Sequence, residues 1–117
     1  MRVTKVLIAV LAGVALLSAA PALGAAKKTV TVGDNYFVAS KTTVKRGTTV
    51  VWRWPGFENA GDVHDVGLKS GPKGVKKFRS EAASTDYSYK KRLTVPGTYR
   101  FNCSLHHEMK MTVTVRR

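Results

Sequence analysis

From Thr29 onward the chain is built of short runs in which apolar and polar residues alternate. Val30 and Val32 share one phase, Asp34-Asn35 interrupts it, and Tyr36-Phe37-Val38 resumes it. Lys45-Arg46-Gly47 turns the chain into Thr48–Trp54, where Val50, Trp52 and Trp54 fall on one face, and Pro55-Gly56 ends that run. His64, Val66 and Leu68 recur at period two until Ser70-Gly71-Pro72-Lys73-Gly74 breaks the pattern. Residues 76–83 have no readable period and fit a short helical turn or an irregular loop equally well. Tyr87, Tyr89, Leu93 and Val95 alternate again, with Lys91 as the exception, and Pro96-Gly97 leads into Tyr99, Phe101 and Cys103. After a brief interruption Met109, Met111, Val113 and Val115 repeat the pattern. A period of two marks strands that bury one face. Repeated short strands with Gly and Pro punctuation predict an all-β fold, a Greek-key antiparallel β-sandwich. Tyr99, just after the Pro96-Gly97 turn, stands where a tyrosine corner would bond its hydroxyl back to the backbone.

The first residues follow a different logic. Arg2 and Lys5 form a short basic region, 6–20 is almost wholly apolar, and Pro21-Ala22-Leu23-Gly24-Ala25-Ala26 supplies small residues for cleavage. That is the pattern of a signal peptide over residues 1–26, with an apolar run short for a membrane span. Residues 27–117 are then one domain, large enough for a single modest core. Export to a periplasmic, cell-envelope or extracellular site would expose the domain to oxidising conditions. Yet the chain has one cysteine, Cys103, so no internal disulfide can staple the fold. A bound ion would supply stability by linkage, and it would also occupy a thiol otherwise open to oxidation.

Candidate chemistry concentrates in Cys103-Ser104-Leu105-His106-His107-Glu108-Met109. A thiolate, an imidazole and a thioether within one short loop are the donors that soft, redox-active copper prefers. Cys103 ends one strand, Met109 begins the next, and His106 lies on the loop between. The second imidazole that a blue-copper centre requires comes from His64, at the start of its own inward-facing strand. The expected metal site is therefore His64, Cys103 and His106, with Met109 as weak axial ligand and one type 1 copper ion as cofactor. Met111 shares a face with Met109 but lies deeper in its strand, where a flexible core filler is expected. His107 is expected to face solvent. Structural zinc favours two or more thiolates and recruits no thioether. An enzymatic role has no support, because there is no second cysteine, no nucleophile paired with a free histidine and no phosphate-binding loop.

On these residues the chain resembles the plastocyanin and amicyanin type of cupredoxin, the small secreted blue-copper proteins. Val95-Pro96-Gly97-Thr98-Tyr99-Arg100-Phe101-Asn102-Cys103-Ser104-Leu105-His106 is similar to the family's strand into the copper loop, and the Cys-x2-His-x2-Met spacing resembles the short amicyanin-type loop. Residues 44–52 and Val63-His64-Asp65-Val66 resemble the early strands and the first ligand. Three positions depart from the pattern: Asp65 replaces a common asparagine, His107 a common proline and Met111 a common glycine. The resemblance implies single-electron transport between redox partners, with the His106 edge as the electron port and Leu105 in an apolar docking patch. The different-class alternative is an extracytoplasmic copper carrier or buffer. The residue after the first histidine is well placed to brace the loop beyond Cys103, so the Asp65 carboxylate is expected to accept hydrogen bonds from Ser104.

Charge bears on partners. Twenty Lys and Arg stand against seven Asp and Glu, and removal of Arg2 and Lys5 leaves 18 against 7, about +11 for residues 27–117. Such a balance raises the question of nucleic acid, but no nucleic-acid motif is visible and export separates the chain from the genome. A solvated basic surface accounts for the charge as well as any specific role does. If the charge is functional, it steers the domain, expected to be a monomer, towards a redox protein with an acidic docking surface or towards an anionic envelope surface.

Overall fold

The structure, a computed structural model, describes residues 26–56 and 61–117. The proposed signal peptide lies outside the described residues except for Ala26. Eight strands follow in chain order: β1 (Lys27–Gly33), β2 (Tyr36–Val38), β3 (Lys41–Lys45), β4 (Thr48–Trp54), β5 (Gly67–Ser70), β6 (Tyr87–Leu93), β7 (Gly97–Asn102) and β8 (Lys110–Arg116). They form two four-stranded sheets ordered β2-β1-β4-β6 and β3-β8-β7-β5. The β-sandwich expected from the alternation is present, but its sheets are mixed. β1 runs parallel to β4, and β3 parallel to β8, while the other neighbours are antiparallel. The chain repeatedly crosses from one sheet to the other, so strands distant in sequence become neighbours, a long-range pairing that alternation does not encode.

The inward phases meet as their periodicity requires. Val30, Val32, Val50, Trp52 and Trp54 face Phe101, Met111, Val113 and Val115 across the sandwich, all nearly inaccessible to solvent. The Trp52 ring lies 4.9 Å from that of Phe101, and the Trp54 ring meets Tyr87 edge-on at 4.8 Å, separations at which aromatic pairs add to simple area burial. Lys91, out of phase in β6, resolves locally: its ammonium sits 4.8 Å above the Phe78 ring, so the stem covers apolar surface while the charge meets a π face. Residues 76–83 form no helix. Part of the stretch runs as an irregular extension beside 64–68, with Leu68 N–H donating to Phe78 O, Ser80 N–H to Val66 O, and His64 and Ala83 bonded in both directions at 2.9 Å. His64 therefore lies in an isolated bridge before β5 rather than inside a strand.

The tyrosine corner is present. Tyr99 is buried and its hydroxyl donates to Val95 O at 2.7 Å, while Val95 itself stays outside the core. Tyr99→Phe removes that bond alone and should lower unfolding free energy by about 1 kcal/mol, read from a denaturant titration. Burial raises the Tyr99 pKa above its ordinary 10.0. A group raised on folding contributes stability that is complete below the unfolded pKa and is lost as pH climbs through the folded one. Stability of the native sequence should accordingly fall more steeply above about pH 10 than that of Tyr99→Phe; parallel pH curves would contradict this reading.

Candidate metal centre

The β7–β8 hairpin delivers the loop residues. Its last register pair is Asn102 with Lys110, so Cys103 and Met109 stand opposite each other just beyond the ladder. Cys103 N–H donates to Met109 O and Met109 N–H to His106 O, both at 3.0 Å, which closes the loop with His106 inside its curve. His64 arrives on the segment that leads into β5, the neighbour of β7 in the same sheet, fixed by its pairing with Ala83 and by Trp54 Nε1–H donating to His64 O at 3.2 Å.

These elements bring His64, Cys103 and His106 together, with one donor atom from each lying within 4.8 Å of the others. Nδ1 of His64 is 3.1 Å from Nδ1 of His106, and Cys103 Sγ is 3.6 Å from the same His106 nitrogen. His64 and Cys103 are buried, and His106 is partly exposed. The outer ring nitrogens carry a second layer. His64 Nε2 lies 3.0 Å from Asp34 Oδ1, and His106 Nε2 lies 3.4 Å from Asp62 Oδ2. A carboxylate accepts only, so each Nε2 in such a bond must carry the proton, and a neutral ring then presents its Nδ1 as a bare lone pair. Two lone pairs at 3.1 Å repel unless a cation lies between them. Two nitrogens each about 2.0 Å from one ion stand about 3.3 Å apart at a tetrahedral angle, so the arrangement fits a bound metal. A thiolate beside two imidazoles fits copper.

The thiolate side is braced through Asp65. Its backbone N–H points at Cys103 Sγ at 3.4 Å, and its carboxylate accepts from Ser104 N–H at 2.7 Å and Ser104 Oγ–H at 2.6 Å. The expected Ser104 contact is thus made by both donors. Arg79 adds what the sequence reading missed: Nη1 donates to Asp65 Oδ1 at 2.9 Å and Nη2 to Asn102 Oδ1 at 2.8 Å. Burial raises the Asp65 pKa, but the Ser104 bonds and the Arg79 charge outweigh it and leave the carboxyl below its ordinary value. Arg79 reaches this position because Gly67 has no side chain; a Cβ there would strike the guanidinium. Asp34 also titrates below its ordinary value, chiefly through the His64 bond and then the Asp62 N–H bond.

A sequence model of copper-binding proteins of the plastocyanin/azurin family matches residues 25–116. The chain belongs to this family. Its solved relatives agree with the fold. The reduced state of an amicyanin mutant is 26% identical with a TM-score of 0.65, over 82% of this chain and 86% of that one. An oxidised amicyanin mutant is 25% identical with a TM-score of 0.64 over the same shares. A copper-containing nitrite reductase from Thermus scotoductus is 25% identical with a TM-score of 0.67, but the match spans 87% of this chain and only 25% of that protein. A search of curated proteins returned no match. The chain is a cupredoxin, and copper is its cofactor.

Among the other residues singled out from the sequence, Met109 and Met111 are both buried, and His107 and Leu105 are exposed, Leu105 at 55%. Asp34 and Asp62 escaped notice because each falls in a turn or loop, where an acidic residue reads only as a strand breaker. Asp34→Ala should weaken copper binding by about 10-fold or more, the usual effect of removing a carboxylate that orients a ligating histidine. A competition titration against a chelator of known affinity measures this, and an unchanged affinity would remove Asp34 from the site.

Proposed function

We propose that this cupredoxin is an exported carrier of single electrons that holds one type 1 copper ion through His64, Cys103 and His106, with Met109 as axial ligand. The observation that carries the reading is the convergence of two imidazoles and one thiolate in a largely buried pocket. Copper bound there supplies one-electron redox chemistry. The chain's own contribution is to hold donors still. His64 is fixed by backbone pairing and by Asp34, Cys103 by the Asp65 N–H, and the loop by Ser104 and Arg79. Rigid donors limit the rearrangement that accompanies a change of oxidation state. Met109 qualifies for the axial role because it is buried, opposes Cys103 and has its own N–H tied to His106 O.

The accessible part of His106, next to exposed Leu105 and with exposed Val63 preceding His64, supports an electron port at this end of the sandwich. The partner is a redox protein, and the cationic excess of the domain favours one with an acidic docking surface. The N-terminal signal pattern supports export, and the domain is expected to act as a monomer. A copper carrier or buffer would need ligands that are easily reached, and His64 and Cys103 are not.

The copper-loaded protein should show the intense visible absorption of a thiolate bound to Cu(II), and Cys103→Ser should abolish it; colour that survives this change would place the site elsewhere. Met109→Gln should keep the colour and lower the reduction potential, because a harder oxygen donor favours Cu(II). Voltammetry of Met109→Gln and Met111→Gln decides the axial ligand, and an effect confined to the second would reassign it.

A further inference from the structure

Charge is sorted by element in this molecule. Among the described residues every acid lies in a turn or loop: Asp34, Asp62, Asp65, Glu81, Asp86 and Glu108. The strands carry none. β3, β5, β7 and β8 together hold six cations and no acid, as do β1, β2, β4 and β6 together, and in the first sheet all six, Lys41, Lys45, Lys69, Arg100, Lys110 and Arg116, are exposed. Four acids, Asp34, Asp62, Asp65 and Glu108, instead stand at the copper end. A uniformly basic surface would not show this segregation.

The outer face of the β3-β8-β7-β5 sheet is also shaped. One row crosses all four strands, Lys41 beside Thr112, Thr112 beside Arg100, and Arg100 beside Ser70. The register slips between Leu68 and Ser70. Strict alternation would turn Ser70 inward once Lys69 points out, but the bulge leaves both exposed on the edge strand. Two adjoining shallow depressions, of about 480 and 450 Å3, meet at Lys69 and Asn102, and Lys77, Arg100 and Lys110 stand along them. Among the described residues none of these four cations is in an ion pair, whereas Arg79, which also lines the groove, is engaged with Asp65. Ser70, Asn102 and Thr112 offer hydrogen-bonding side chains between the charges.

We infer that this groove is the docking face for an acidic protein surface. Charge complementarity selects the sign of the partner. The chemistry of the face selects its class. No large apolar side chain is exposed on these four strands to enter a bilayer, the exposed ones being Tyr36, Val38, Val63, Val95 and Leu105. Nor is there an exposed aromatic on the face to stack a base. Asn102 and Lys110 directly adjoin Cys103 and Met109 in the chain, so a partner seated here lies against the copper end of the sheet. The inference rests on the electron-carrier reading only for the partner being a redox protein; the test below reads binding alone.

The probe is poly-L-glutamate, with binding to the copper-loaded protein followed by calorimetry at low salt. The triple variant Lys69→Glu, Arg100→Glu, Lys110→Glu reverses charge in the groove. The control Lys27→Glu, Arg53→Glu, Lys90→Glu makes the same change in net charge on the outer face of the other sheet. The groove variant should lose at least about tenfold in affinity and the control less than about threefold. Visible absorption confirms that each variant keeps its copper site, and if the charge reversals prevent folding the corresponding glutamine triples give the same ranking with a smaller effect. Equal losses in the two variants would overturn the inference and return the charge to a bulk effect. Binding to phosphatidylglycerol vesicles or to DNA that depends on the groove, without binding to poly-L-glutamate, would also overturn it.

Discussion

Two imidazole nitrogens face each other across 3.1 Å at one end of the sandwich, and most of what is particular to this molecule serves that contact. Left to themselves, two neutral histidines would not present lone pairs to one another in a buried pocket, because each would gain by turning to a donor. Here the outer nitrogens are claimed by Asp34 and Asp62, and the His64 ring is enclosed by the core. The conflict this creates is relieved by a cation. The cost of holding the donors in place falls on the fold, which must bring residue 64 to residues 103 and 106 through the pairing of β5 with β7.

That dependence explains the irregular part of the chain. Residues 78–83 do not complete a sheet, yet they clamp the backbone at His64, Val66 and Leu68 and supply Arg79 and Ser80. Ser80 Oγ–H donates to Glu81 O while accepting from Val66 N–H. Asp65 is buried for the same reason. Alternation from His64 turns it away from the core, but its carboxylate meets Ser104 and Arg79 there and is satisfied by three donors. A buried carboxylate with that many partners stays ionised, and its charge is met by the guanidinium rather than left to act alone beside the site.

Much of this was legible in the sequence. Alternation identified the inward residues of β1, β4, β7 and β8, and the seven-residue loop plus a single outlying histidine identified the three residues that converge. Pairing was not legible, since the parallel contacts of β1 with β4 and β3 with β8 join strands that are not consecutive. β3 itself drew no separate notice, because Lys41–Lys45 offers one buried side chain, Val44. Asp34, Asp62 and Arg79 act on the histidines and on Asp65 from turns and an irregular segment, where no period marks them. The exposure of Ser70 needed the bulge to be understood, and a bulge is a property of two strands together.

The central claim is that the chain fixes the donors before the metal arrives. Crystal structures of the metal-free and the copper-loaded protein, grown in the same form, test it most directly. The account predicts that His64, Cys103 and His106 keep their rotamers, and that His64 Nε2 keeps its bond to Asp34, in both. Rotation of His64 away from Asp34 in either structure, or copper bound through Nε2, would contradict it.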